Sequence, residues 1–308
     1  MENREIKIGI VYTAASYILW GFLPIYWKMV GSVSAGQILA HRIVWAFVFM
    51  MILLIALGKT RAFLAEIKRI ASNKKTLIGI TIASVVISLN WVIFIWAVNS
   101  DHVVQASLGY YINPLVSILL GMIVLKESLT RWQILSFILA AFGVIYLTIN
   151  FGVFPWVSIV LALSFGLYGL LKKTVDISAM FGLTIETLIV SPLAAIYLVY
   201  VGIQGVGVPF TFSPLFLLLL AGGVATAVPL LLFASGAKRI PLSMVGFLQY
   251  FAPTIMLIIG VFKYNEPFTH AHLIAFLFIW TALVIYTVSR TKWFKRLEGS
   301  MLERKKSY

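Results

Sequence analysis

Residues 105–147 and 244–286 of this chain align on each other without a gap at a constant offset of 139. Tyr111 falls on Tyr250, Pro114 on Pro253, Gly121 on Gly260, Glu127 on Glu266 and Thr130 on Thr269. Identities between two apolar runs carry little weight, but Pro and Glu are scarce here and both recur in register. Each copy is an apolar stretch of bilayer length, interrupted early by proline, closed by a carboxylate and followed by a second apolar stretch. An internal repeat of this form predicts a membrane protein built from two related halves, a plan that transporters use.

The composition fits. Of 308 residues, 61% are hydrophobic and only 11% charged, with a mean hydropathy of +1.01; a soluble domain carries about 25% charged residues. The absence of cysteine excludes disulfides, thiolate nucleophiles and Cys-ligated metals. A net charge of +14 is compatible with nucleic-acid binding, but the basic residues sit between apolar spans, where a membrane protein places them. No nucleic-acid partner is expected; the bilayer is.

Ten spans can be marked, roughly 8–27, 36–57, 76–98, 102–125, 132–149, 153–171, 179–201, 214–236, 240–262 and 269–289. The first is too long for a signal-peptide core and lacks a small-residue cleavage site. Between the second and third, Phe63, Ile67 and Ile70 recur at helical spacing among Lys59, Arg61, Lys68, Arg69, Lys74 and Lys75. This predicts a helix lying on the membrane surface. The tail repeats the pattern with Phe294, Leu297 and Met301.

Twenty-one of the 24 Lys and Arg residues fall on the side of the N-terminus, two (Lys28 and Lys263) on the other, and Arg42 lies within a span. The asymmetry predicts both termini in the cytoplasm. Five spans per half then force the halves, residues 1–149 and 150–308, to insert upside down relative to each other. The charges follow. Lys126 and Arg131 match Asn265 and His270, whereas Asn99 and Ser100 match Lys238 and Arg239. The match extends to the first spans, with Trp20-Gly21 on Phe165-Gly166 and Ser34-Ala35 on Ser178-Ala179. The expected fold is all-α, ten transmembrane helices in two inverted five-helix repeats.

The strings WGFLPIYWK (20–28), AHR (40–42), NWVIFIWAVN (90–99), ASLGYYINPL (106–115), IETL (185–188), GFLQYFAPT (246–254) and FIWTALVI (278–285) resemble the drug/metabolite transporter superfamily. Within it the likeness is to the EamA-like family and its RarD branch, the so-called chloramphenicol-sensitive proteins, over nearly the whole chain. The resemblance implies a multi-pass permease of the bacterial cytoplasmic membrane. It supplies no defined substrate.

Polar side chains inside hydrocarbon are costly and mark function or structural pairing. Arg42 and Glu186 are the two charged residues deep within spans, at an offset of 144 in the second span of each half. They are expected to interact, since neither has another deep partner of opposite sign. His41 points about 100° away from Arg42 and is expected to bond a packing neighbour. Asn90 and Trp91 lie mid-span. Tyr110, Tyr111 and Asn113 precede Pro114, and Gln249 and Tyr250 precede Pro253. Proline frees a carbonyl one turn earlier, and freed backbone at mid-depth is tolerated where it lines a cavity. These seven residues are the predicted substrate cavity.

Glu127 and Glu266 close their spans within reach of water and are expected to hydrogen-bond a helix end. His270 and His272 stand two apart, which separates them on a helix, and no third ligand is evident. No metal, cofactor or catalytic residue is expected; phosphate loops, paired carboxylates and nucleophile elbows are missing from the sequence. The reading that results is a secondary transporter, not an enzyme. It moves a small metabolite or drug-like solute by alternating access, driven by a coupling ion, a proton or exchange. The alternative is an intramembrane enzyme acting on a lipid or isoprenoid, which needs a cluster of acids where only Glu186 is deep. A receptor normally adds a soluble domain.

Overall fold

The computed structural model describes residues 2–99, 103–152, 154–265, 268–291 and 294. Among them the regular structure is entirely α-helical. In chain order the helices are α1 (Glu2–Met29), α2 (Ala35–Ala56), α3 (Thr60–Ser72), α4 (Lys74–Asn99), α5 (Val103–Ile123) and α6 (Arg131–Asn150). The second half holds α7 (Trp156–Thr174), α8 (Ala179–Ile203), α9 (Pro214–Ala237), α10 (Leu242–Gln249), α11 (Phe251–Tyr264) and α12 (His270–Ser289). Ten spans, with α10 and α11 together forming the ninth, are long and apolar enough to cross a bilayer.

Local chemistry sets several ends. Thr130 accepts from Gln133 N–H while the Gln133 side chain accepts from Thr130 N–H, and Thr269 and His272 repeat the arrangement at α12. The recurring threonine of the sequence repeat is therefore a capping box. His272 serves this cap. Proline acts unequally in the two copies. Pro114 sits inside a continuous α5, whereas the ninth span breaks at Tyr250, three residues before Pro253, close to the carbonyl that proline leaves without its donor.

The principal packing pairs are α5 with α7, α1 with α11, α1 with α9, α4 with α7, α2 with α9 and α4 with α8, joined by α2 with α8, α5 with α10 and α6 with α12. Exchanging each span with its counterpart in the other half turns this set into itself. A Cβ on Gly21 would lie 2.7 Å from Ile255 Cβ, and one on Gly166 would lie 2.8 Å from Val116 Cγ1. The two glycines correspond, and so do Ile255 and Val116. Small residues let helices approach where lipid supplies no hydrophobic driving force between them. On the axis of this exchange, Trp20 meets its counterpart Phe165 edge to face at 5.9 Å.

The core between the halves is aromatic, with Tyr17, Tyr168, Phe233 and Phe247 fully enclosed. Large apolar residues such as Ile123, Leu193 and Phe262 point outward, as a lipid-facing surface requires. The helix expected on the membrane surface is present as α3, but its apolar stripe is not spent on lipid. Phe63, Ile67 and Ile70 pack on Leu54, Ile80, Ile177 and Ile185, because neighbouring helices leave a complementary apolar groove there. Of the predicted tail, Leu297 and Met301 lie outside the described residues; Phe294 packs edge to face on Trp132 at 5.3 Å.

Candidate functional site

Glu186 on α8 lies at the centre of a closed polar cluster. Its Oε1 accepts from Lys172 Nζ at 2.8 Å and its Oε2 from the Tyr168 hydroxyl at 2.9 Å. Lys172 and Glu186 are only 5% and 3% exposed. Tyr168 and Lys172 stand one turn apart on α7 and so present both donors to one carboxylate. Gly182 gives the lysine room, since a Cβ there would sit 3.3 Å from Nζ. Two small cavities flank the cluster, each with room for little more than a water. One is lined by Ile80, Leu171, Val175 and Gly182, the other by Ile87, Trp91, Thr187 and Leu230.

This arrangement corrects the expected Arg42–Glu186 pair: the two groups have separate partners. Arg42 Nε donates to Thr226 Oγ1 of α9 at 3.0 Å, and its guanidinium lies 4.5 Å over the Trp27 ring. The physical reason lies in the repeat. Trp27 of the first half corresponds to Lys172 of the second, at an offset of 145. Each deep charge is therefore met by the same position of the preceding span, and the lysine supplies Glu186 with a nearer cation than Arg42. Lys172 was missed because its place in a Lys-Lys pair at a span end reads as an interfacial anchor. A long lysine stem can also reach inward.

The predicted cavity residues divide. Asn90 Nδ2 donates to Leu161 O at 3.0 Å and to Ser164 Oγ at 2.8 Å, tying α4 to α7. Trp91 faces the cavity beside Glu186. Tyr110 is densely surrounded by protein, within electrostatic reach of Arg42, yet 39% exposed. Asn113 Oδ1, Gln249 Oε1 and the hydroxyls of Thr13, Tyr17 and Tyr250 are buried without a hydrogen-bond partner among the described residues. Tyr17 and Gln249 stand within side-chain reach of one another, so a small rotation pairs them across the halves. Buried polar groups are nearly always paired, so the others call for water or a ligand.

Tyr111 and Tyr250 are the corrections. Tyr111 packs edge to face on Phe276 at 5.5 Å, and Tyr250 is enclosed by Leu115, Ala140, Val144, Ile279 and Ala282. Both turn toward the α6–α12 layer, away from the centre. One residue of rotation on a helix is about 100°, enough to separate Tyr110 from Tyr111. His41 accepts from Trp45 Nε1 at 3.2 Å through Nδ1.

Glu127 does hydrogen-bond a helix end, but that helix belongs to the other half. Its two oxygens accept from Leu242 N–H at 2.6 Å and Ser243 N–H at 2.8 Å, the first amides of α10. A carboxylate there satisfies orphan donors and complements the helix dipole. Lys173 Nζ donates to Ile240 O at 2.6 Å. Lys238, just beyond α9, donates to Val175 O at 2.7 Å, and burial followed by the Lys172 charge holds its pKa below that of an ordinary lysine. Arg69 of α3 spans Glu66 and Asp176. Glu127 and Arg69 join the two halves at this end of the bundle, while the Lys173 and Lys238 bonds lie within the second half. Glu266, the counterpart of Glu127, lies outside the described residues.

Ten apolar spans around buried polar groups define a multi-pass membrane protein. The EamA-like transporter family model matches residues 7–149. YojE of Bacillus subtilis (strain 168), named a transporter, is 48% identical over 95% of this chain and 98% of its own. Protein RarD of Escherichia coli (strain K12) is 39% identical over 94% of this chain and 96% of its own. A crystal structure of 16% identity shares the fold, with a TM-score of 0.69 over 91% of this chain and 97% of that one. The chain belongs to the EamA-like transporter family and is a RarD-like permease within it.

Proposed function

We propose that this permease is a secondary transporter working by alternating access between two inverted five-helix halves, residues 1–149 and 150–308. Its termini lie in the cytoplasm of a bacterial cell, and Glu127 and Arg69 seal the cytoplasmic end of the path in the state described. The observation that carries this reading is the unpaired Asn113 Oδ1 of the first half together with Tyr17 and Gln249, which face each other across the halves, all polar groups held in the apolar core. Interhelical contact alone does not need them; a polar solute passing between the halves does. The Glu186–Lys172–Tyr168 cluster is the candidate coupling site, where protonation of Glu186 releases Lys172 and loosens α7 from α8.

The test is counterflow in proteoliposomes with Asn113→Leu and Gln249→Leu. Leucine is well tolerated in a span, so both variants are expected to fold and to lose most of the exchange rate. Full exchange by both returns these residues to helix packing.

A further inference from the structure

Arg42 differs from Glu186 in one respect that matters. Glu186 has a cation and a hydroxyl on its two oxygens, whereas Arg42 has no carboxylate partner among the described residues. Only its Nε is engaged, by Thr226. Both terminal amino groups, the forked edge of the guanidinium, make no hydrogen bond to the described protein. The guanidinium is partly exposed, sits over Trp27, and lies within electrostatic reach of Tyr110, whose hydroxyl is also unbonded among the described residues. Phe94 meets the Tyr110 ring at 6.3 Å. A charge inside a membrane without a counter-ion is unfavourable by several kcal/mol, and the protein keeps this one without a carboxylate partner among the described residues.

We propose that Arg42 is the anchor for the carboxylate of the transported solute, a small monoanion with an apolar, ring-sized body. The planar fork matches a carboxylate bidentately. One positive charge balances one negative charge, which disfavours a dianionic phosphate monoester, and among the described residues no lysine is recorded against Arg42 to neutralise a second. Trp27, Phe94 and the Tyr110 ring supply apolar walls, and the Tyr110 hydroxyl a second donor to the anion. The inference rests on the transporter reading and specifies its substrate class.

The test uses purified full-length protein and a panel of aryl- and alkyl-carboxylates, phenylacetate and indole-3-acetate among them, each with its matched amide and amine. The readout is the thermal unfolding midpoint. Carboxylates are expected to raise it, amides and amines of the same body far less. Arg42→Gln is expected to weaken the carboxylate effect by about tenfold or more in apparent affinity, as loss of a charge-assisted pair does. Arg42→Lys keeps part of it, and Tyr110→Phe loses a few-fold. Ligand-free Arg42→Gln is expected to melt no lower than the parent, because it removes a charge that has no protein counter-ion; a merely structural arginine gives a lower midpoint. Amines or amides stabilising best, no carboxylate acting, or an undiminished response in Arg42→Gln overturns the assignment. Counterflow over the same panel separates the two levels. Exchange of an amine or amide but of no carboxylate keeps the transporter and ends the anion site. Carboxylate binding through Arg42 with no exchange of any member keeps the site and ends the transporter reading.

Discussion

Glu186 stands 2.8 Å from Lys172, and the positions that match them in the first half, Arg42 and Trp27, also meet, the guanidinium 4.5 Å over the indole. The matched places hold an ion pair in one half and a cation–π contact in the other. The ion pair compensates its own charges inside the bundle. The cation–π contact leaves a net positive charge and a free hydrogen-bonding edge.

Removing either member of the buried pair strands the other. Lys172→Met and Glu186→Gln are each expected to destabilise the protein by about 3–5 kcal/mol, while the Lys172→Met, Glu186→Leu double variant recovers most of the loss. Thermal midpoints in detergent measure this, and additive losses contradict the pairing.

Transport by Glu186→Gln reports coupling as well as stability. Its exchange rate is expected to change less with pH than that of the parent at matched amounts of folded protein. An unaltered pH profile confines the cluster to structure.

Glu127 holds the first turn of α10 through two charge-assisted bonds, each worth more than a neutral one. Glu127→Ala is expected to open that end. Because the chain has no cysteine, Ser243→Cys provides a single labelling site, buried in the parent. Maleimide labelling should accelerate several-fold when Glu127 is removed, and an unchanged rate excludes a latch.

Close approach of α2 and α9 depends on Gly223, where a Cβ would fall 2.3 Å from the Trp45 carbonyl carbon. Gly223→Ala is expected to cost about 1–3 kcal/mol by overpacking. Gly202→Ala, where a Cβ meets nothing within 4 Å, serves as the neutral control. Equal midpoints for the two variants contradict the packing.

Much of the architecture was legible before any coordinates. Apolar length, the positions of Lys and Arg, and the register of Pro, Glu and Thr in the two copies are local properties, and each span's cost of crossing lipid is close to a sum over its residues. The capping role of Thr130 and Thr269 is local too, because a cap bonds only within its own first turn, although in the sequence the two threonines show only as a recurrence in register. What the tertiary structure decided was the partner of every buried polar group. Lys172 in place of Arg42 beside Glu186, Tyr111 turned onto Phe276 while Tyr110 is not, and α10 of the other half as the helix end bonded by Glu127 all depend on how each helix is rotated and which neighbour it meets. A step of one residue turns a side chain by about 100°. Composition does not see that angle, and packing against the opposite half fixes it.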